Sequence, residues 1–401
     1  MKHNIYIIIL LLPCFLISCS NDRKTEDIYT EPTMSCDDIS SLQPIKIGEP
    51  EKGSVYDCID SIRVIPLETD DNCLIGNVSK ISFFDNKIFV VDLYKASKVF
   101  VFDLEGNYLY SIGTQGKAYG EYMLIGDVNI TEQYVDFIDC GQWKVVRYNL
   151  SGEVLKEISL AKAFGTSHFI ELNKNRYMLI FQTYAEEHPF RIEIRDSLLN
   201  IKETALPFLY VRDEPAGQIV KDHQGNYLYY SLFNDTIYTI TENSIKPTYN
   251  TSLYNKEEIN DFLRKTEGMN QREFLKALNS KDNKIVSFYS FFESDRHYFI
   301  QYRRGGDVFN SIVDRYHSIS KTTKGMSLNS GRDDFPFYIH GIYRNCLVAA
   351  VTLDDVDQLS EDANKEFVHK LDGSSIRHWA QIKEDDAANP TICLFQIKDS
   401  L

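Results

Sequence analysis

The chain has 401 residues, 43 Lys and Arg against 58 Asp and Glu, and a formal net charge of −15. That balance argues against nucleic acid as a partner, because phosphate recognition needs a basic patch and none stands out. Aromatic residues make up 13%, with 25 Tyr and 24 Phe, a composition suited to half-buried pleated surfaces and so to an all-β fold.

In chain order, the first element is an address. Lys2 and His3 precede an apolar run from Ile5 to Ile17, too short to span a bilayer as a finished helix. The run ends in Leu16-Ile17-Ser18-Cys19, which resembles the lipobox of bacterial lipoproteins. The resemblance implies a signal peptide over 1–18, acylation of Cys19, and a membrane partner held through that lipid anchor. Ser20, in place of the Asp that retains such proteins at the inner membrane, implies an outer membrane lipoprotein of a Gram-negative bacterium, periplasmic or surface-facing. Residues 19–53 are polar with little periodicity and read as a flexible tether. Cys36, Cys58, Cys73, Cys140, Cys346 and Cys393 form no C-x-x-C pair, and the last three sit in or beside apolar strands as small buried side chains.

From residue 54 to 401 a strand phrase recurs. Val99-Phe100-Val101-Phe102-Asp103-Leu104-Glu105-Gly106-Asn107-Tyr108-Leu109 returns as Val145-Val146-Arg147-Tyr148-Asn149-Leu150-Ser151-Gly152-Glu153-Val154-Leu155, about 46 residues later. Ile237-Tyr238-Thr239-Ile240 falls three such periods after the first. Short alternating strands at this period predict a six-bladed β-propeller of four-stranded antiparallel blades, with small helical insertions.

Blade one is expected at Val78–Phe84, Lys87–Asp92, Lys98–Asp103 and Tyr108–Ile112, and blade two at Gly126–Thr131, Tyr134–Asp139, Lys144–Asn149 and Val154–Ile158. Blade three shows Tyr177–Phe181 and Phe190–Arg195, and blade four Tyr227–Ser231 and Thr236–Thr241. Between blades four and five, residues 255–282 switch to helical periodicity. Asn255-x-x-Glu258 and Asn270-x-x-Glu273 start two helices, and Gly268 separates them. Blade five resumes at His297-Tyr298-Phe299-Ile300. Blade six offers Phe337–Ile342, Cys346–Val351 and Thr391–Ile397, with a long loop over 352–390 carrying one helix through Leu359, Ala363, Phe367 and Leu371. Its missing strand is supplied by Ile62–Leu67 from the N-terminal side, since an unclosed ring leaves open edges.

Gly113-x-x-Gly116-x-x-x-Gly120-Glu121-Tyr122, followed by Gly126-Asp127-Val128 and the blade-two strands, resembles the NHL-type repeat. With the lipobox, the Ile65-Pro66-Leu67-Glu68 opening and the Asn389-Pro390 strand, the chain is similar to the six-bladed propeller lipoproteins of Gram-negative bacteria. That resemblance implies fold and compartment, and fold does not supply function.

Motifs for chemistry are sparse. Gly113–Gly120 is no Walker loop, because Ser111 stands at the first Gly position and Ala118 follows Lys117. Asp354-Asp355-Val356-Asp357 lacks the Gly and Glu of an EF-hand loop and reads as a solvated run leading into a helix. His168 and His340 lie on inner-strand candidates, but no His pair has zinc spacing, so no cofactor and no metal is expected. The leading expectation is a non-catalytic binding or scaffolding module for an unknown protein, small molecule or glycan. The alternative is a metal-dependent propeller enzyme, a lyase or hydrolase, with its site at the central channel.

Strand alternation places the turns between strands one and two, and three and four, at one end of the ring, here the turn end. Inter-blade links and the loops between strands two and three share the other, the link end. Aromatic and charged residues in the latter loops are the predicted binding set: Tyr94, Lys95, Gln142, Trp143, Lys144, Phe233, Arg303 and Arg304.

Overall fold

Alternation along single strands decides the architecture. In the strands Lys87–Asp92 and Lys98–Asp103, Phe89, Val91, Val99 and Val101 pack toward blade two, while Ile88, Val90, Phe100 and Phe102 pack toward blade six. Both faces of a blade are therefore buried, and the apolar residues between neighbouring blades form six successive clusters around the ring. Residues 42–208, 218–317, 319–327, 333–382 and 388–401 are described in this computed structural model, and their strands build six antiparallel sheets, one per blade.

The first strand of each blade lines the central channel: Lys80–Phe84, Ile125–Ile130, Thr166–Asn173, Gln218–Lys221, Ser287–Glu293 and Ile339–Tyr343. Asp85 and Asn86 turn blade one from strand one to strand two, both at positive φ as a two-residue hairpin requires, and Arg344 and Asn345 do the same in blade six. Blade six closes as the sequence predicts. Ile59–Pro66 pairs antiparallel with Thr391–Ile397, from Ile59 opposite Ile397 to Pro66 opposite Thr391. Pro66 sits on the outermost strand, where its missing N–H breaks no ladder.

The helical insertion is two helices, α1 (Lys256–Lys265) and α2 (Gln271–Leu278), with Asn255 and Asn270 as N-caps. The reciprocal capping box forms only at Asn270 and Glu273; the Asn255 side chain instead accepts from the N–H groups of both Glu257 and Glu258. Gly268 lies between the helices at a φ of 75°.

Two expectations are corrected. The tether predicted over 19–53 does not extend to 53: Gln43–Pro44 adds a parallel fifth strand to blade four, Ile45 is buried, and the Glu51 N–H donates to the Thr322 carbonyl of blade five. A short apolar patch, Ile45 with the half-buried Ile47, is enough to hold a polar segment to the blade edges. The long loop holds three helices, not one: α3 (Leu353–Gln358), α4 (Glu361–Lys370) and α5 (Ser375–Ile382). Ser360 restarts the chain as an N-cap. Helices α4 and α5 run along the outer edge of the closing strand, where Lys370 Nζ donates to the Ile59 carbonyl and Ser375 Oγ accepts from the Val64 N–H. They cover the one blade edge made from two distant parts of the chain.

A chain beginning at Gln43 should match the longer one in thermal stability. One beginning at Ser54 should lose about 1.5–3 kcal/mol, the contribution of burying the Ile45 side chain. One beginning at Glu68 should aggregate, because Thr391–Ile397 becomes an open edge. Thermal melts and size-exclusion profiles of the three chains check this.

Candidate functional site

The six first strands enclose a cavity of about 1110 Å³. Because side chains alternate across each strand, every first strand sends some residues into the channel and the others between the blades.

At the link end, the Lys80 ammonium, on the first residue of blade one's inner strand, pairs with the Asp127 carboxylate and donates to the Val128 carbonyl at 2.9 Å. His168 Nε2 lies 3.8 Å from Asp127 Oδ2, and Ser167 Oγ lies 3.0 Å from its Nδ1. Burial pushes the His168 ring below the ordinary imidazole range, with Asp127 opposing the shift. Burial pushes His340 down to about 4 against a hydrogen bond to the Ser79 backbone, so this ring is neutral near pH 7. The two histidines singled out in the sequence thus both face the channel.

At the turn end, an aromatic collar surrounds the mouth. Phe83 of blade one stacks on Tyr343 of blade six, with centroids 4.2 Å apart and planes 12° from parallel. The Lys221 ammonium of blade four lies 5.5 Å from the Tyr227 ring and 5.8 Å from the Phe84 ring of blade one. The Arg344 guanidinium lies 5.1 Å from the Tyr343 ring. Beside them Glu293 is buried: Tyr249 donates to it at 2.9 Å, Arg315 pairs with it at 3.0 Å, and His223 Nδ1 lies 2.7 Å away. Burial raises the Glu293 carboxyl above its usual range, and Arg315 acts against that shift.

None of the eight residues predicted for binding lines this cavity. Tyr94 is 60% exposed, and burial of part of its ring together with the charge of Asp127 raises its phenol. The Tyr94 and Lys95 N–H groups donate to Asp92 Oδ1, whose other oxygen accepts from Gly76 and Asn77. Gln142 is held in the same way by Asp139 through its N–H and its Nε2. Trp143, at a φ of 51°, lies against Phe164 at 4.0 Å and is half-buried. Arg304 is exposed. Three of the eight have structural roles. Lys144 is buried in an ion pair with Glu157 at 2.6 Å. Phe233 is 2% exposed and packs with Ile259, Phe262 and Phe274 under the helical insertion. Arg303 is buried and donates to Asn279 Oδ1, the C-cap of α2. A loop position alone did not reveal these partners, which come from segments 13 to 41 residues away on the chain.

The channel residues Lys80, Asp127, Lys221, Glu293 and Arg344 were missed. Their signal was position on a first strand or its hairpin, and for Lys221 that strand is only four residues long.

The family described as a domain of unknown function, DUF4934, matches residues 43–396. A solved protein from Bacteroides fragilis, thought to be exported, is similar at 22% identity and a TM-score of 0.72, over 89% of this chain and 100% of that one. A member of the DUF4221 family from Bacteroides vulgatus is similar at 11% identity and a TM-score of 0.56, over 85% of this chain and 98% of that one. No curated protein matches. At these identities the structural likenesses establish the fold alone.

The neutral His340 gives a pH prediction. An unfolded chain takes up a proton near 6.5 that native His340 takes up only near 4, so stability falls as pH drops through that window. Between pH 7 and 4.5 the loss through this ring is about 2 kcal/mol, allowing for its partial opening to the channel. Urea unfolding of the wild type and His340→Gln at both pH values should show the variant losing less by about that amount.

Proposed function

The chain belongs to the DUF4934 family, and from the geometry of its channel we propose that it is a non-catalytic binding module of the bacterial envelope. In this reading Cys19 is acylated, residues 20–42 tether the propeller to the outer membrane, and a small molecule or glycan enters the channel. The observation that carries it is the cavity itself: about 1110 Å³ bounded by all six first strands, with aromatic faces, charges and the neutral His340 ring converging on it. Ligand sites are concave, built on rigid elements, and of this size or smaller. The metal-dependent lyase or hydrolase has less to stand on. Among the described residues no group of three or more His, Cys, Asp or Glu is placed to hold a metal ion. A second reading keeps the link end as a contact surface for a protein partner. It is favoured by Leu74, Tyr94, Tyr119, Met123, Leu124 and Phe164, all exposed in links and loops on that side.

Gly341 separates the readings. It lines the channel, its φ is ordinary, and a Cβ there would meet nothing within 4 Å. Gly341→Trp should therefore fold normally and place an indole in the cavity, narrowing it. Any saccharide that raises the melting temperature of the wild type in a thermal-shift screen should fail to do so in this variant. Retained binding with an unchanged fold would reject the channel as the site. For the anchor, Cys19→Ala should release the protein from the membrane fraction and abolish incorporation of labelled palmitate. Retention of the variant in membranes, with no label in the wild type, would reject acylation.

A further inference from the structure

We propose that the turn-end mouth of the channel recognises an acidic saccharide, with Lys221 and Arg344 meeting a carboxylate and the collar of Phe83, Phe84, Tyr227 and Tyr343 meeting sugar ring faces. This rests on the reading of the channel as the binding site and adds the chemical class of the ligand.

The argument begins with charge pairing. Of the cations near the channel, Lys80 is matched by Asp127, Arg315 by Glu293 and Lys87 by Asp85. Among the described residues Lys221 and Arg344 have no carboxylate within 4 Å, although both line the cavity. Aromatic faces are what each of them has for company. A ring face attracts a cation more weakly than a hydrogen-bonded carboxylate in a desolvated position does. The two cations are thus placed where an incoming anion gains most.

Backbone geometry agrees. Arg344 sits at a φ of 49° in its two-residue hairpin, a conformation that Gly, Asn or Asp adopts more readily. A long cationic side chain held at such a position, over Tyr343 and at the rim of the cavity, is a costly choice for a turn with no other task.

The acids of this mouth set the rest of the specificity. Asp85 is held by Lys87, Glu293 is buried among Arg315, His223 and Tyr249, and Asp222 accepts from the Gln224 and Asn226 N–H groups. That leaves Glu132 on blade two and Asp295 on blade five; Glu132 acts on Lys221 from beyond ion-pair distance. Two open cations on blades four and six therefore face two open carboxylates on blades two and five. A simple anion would meet attraction and repulsion in equal measure. A saccharide carboxylate offers both halves: its charge goes to Lys221 and Arg344, and its hydroxyls donate to Glu132 and Asp295. The half-buried rings of the collar offer apolar surface suited to the flat faces of pyranose rings.

The test is calorimetric titration of the folded chain with two probes of equal length: a tetrasaccharide alternating uronic acid with N-acetylhexosamine, and the neutral chitin tetrasaccharide. The acidic probe should bind at least about tenfold more tightly than the neutral one, and its affinity should fall with added salt. Lys221→Gln and Arg344→Gln should each weaken it about tenfold while leaving the melting temperature of the free protein unchanged. Equal affinity for both probes, insensitivity to the two Gln substitutions, or no binding of the acidic probe at millimolar concentration would overturn the proposal. If the neutral probe binds as well and Gly341→Trp abolishes both, the charge assignment fails and the channel stands. If acidic binding survives in Gly341→Trp, the channel reading itself fails.

Discussion

Everything in this molecule depends on one antiparallel pairing, Ile59–Pro66 against Thr391–Ile397. Among the described residues every other blade is drawn from one continuous stretch of chain, apart from the two residues Gln43–Pro44 on blade four, while the four core strands of the sixth come from both ends. The entropic cost of joining such distant segments grows only slowly with separation, by about 0.6 kcal/mol per doubling of loop length. Against it stand Ile59, Ile62, Val64 and Ile65, all buried in clusters shared with the neighbouring blades. Fully burying one such side chain contributes about 1.5–3 kcal/mol, so the four together offset the closure cost. Helices α4 and α5 then cover the outer edge, which keeps the seam from offering itself to another chain.

Closure has a consequence for chemistry. Once the ring is shut, six first strands that are far apart in sequence face one another, and their polar residues must be satisfied across blades. Lys80 of blade one finds Asp127 of blade two, and Tyr249 of blade four donates to Glu293 of blade five. These contacts tie the channel wall together, while Lys221 and Arg344, among the described residues, have aromatic rings and no carboxylate beside them. A rigid wall with a few uncommitted groups lowers the ordering cost that any ligand would meet, because the order of the site has been established in folding.

Much of the fold was legible because propeller blades repeat local rules. The period, the Asp85-Asn86 and Glu105-Gly106-Asn107 turns, the helical insertion and the N-terminal closing strand were all visible as local pattern. The outer strand Ile201–Pro207 of blade three was not, since Lys202, Glu203 and Thr204 are exposed and give no alternation. Nor was Gln218–Lys221, whose four residues are too few for a period to show. The docked segment Gln43–Glu51 was hidden because its stabilisation comes from strand edges supplied some two hundred or more residues later.

The candidate site was harder to read for a related reason. Loops at the link end carry the conspicuous residues, yet Asp92 and Asp139, each closing a second strand, commit the N–H groups there to fixed turns. Lys144, Phe233 and Arg303 are likewise taken up by Glu157, the helical insertion and Asn279. A side chain that is conspicuous in sequence acquires partners in space, and the more prominent its charge or ring, the more the fold gains by using it. What remains available for a ligand is then found by subtraction. Lys221 and Arg344 are distinguished by no motif at all, only by being cations at a cavity wall where no carboxylate of the described residues lies within ion-pair distance.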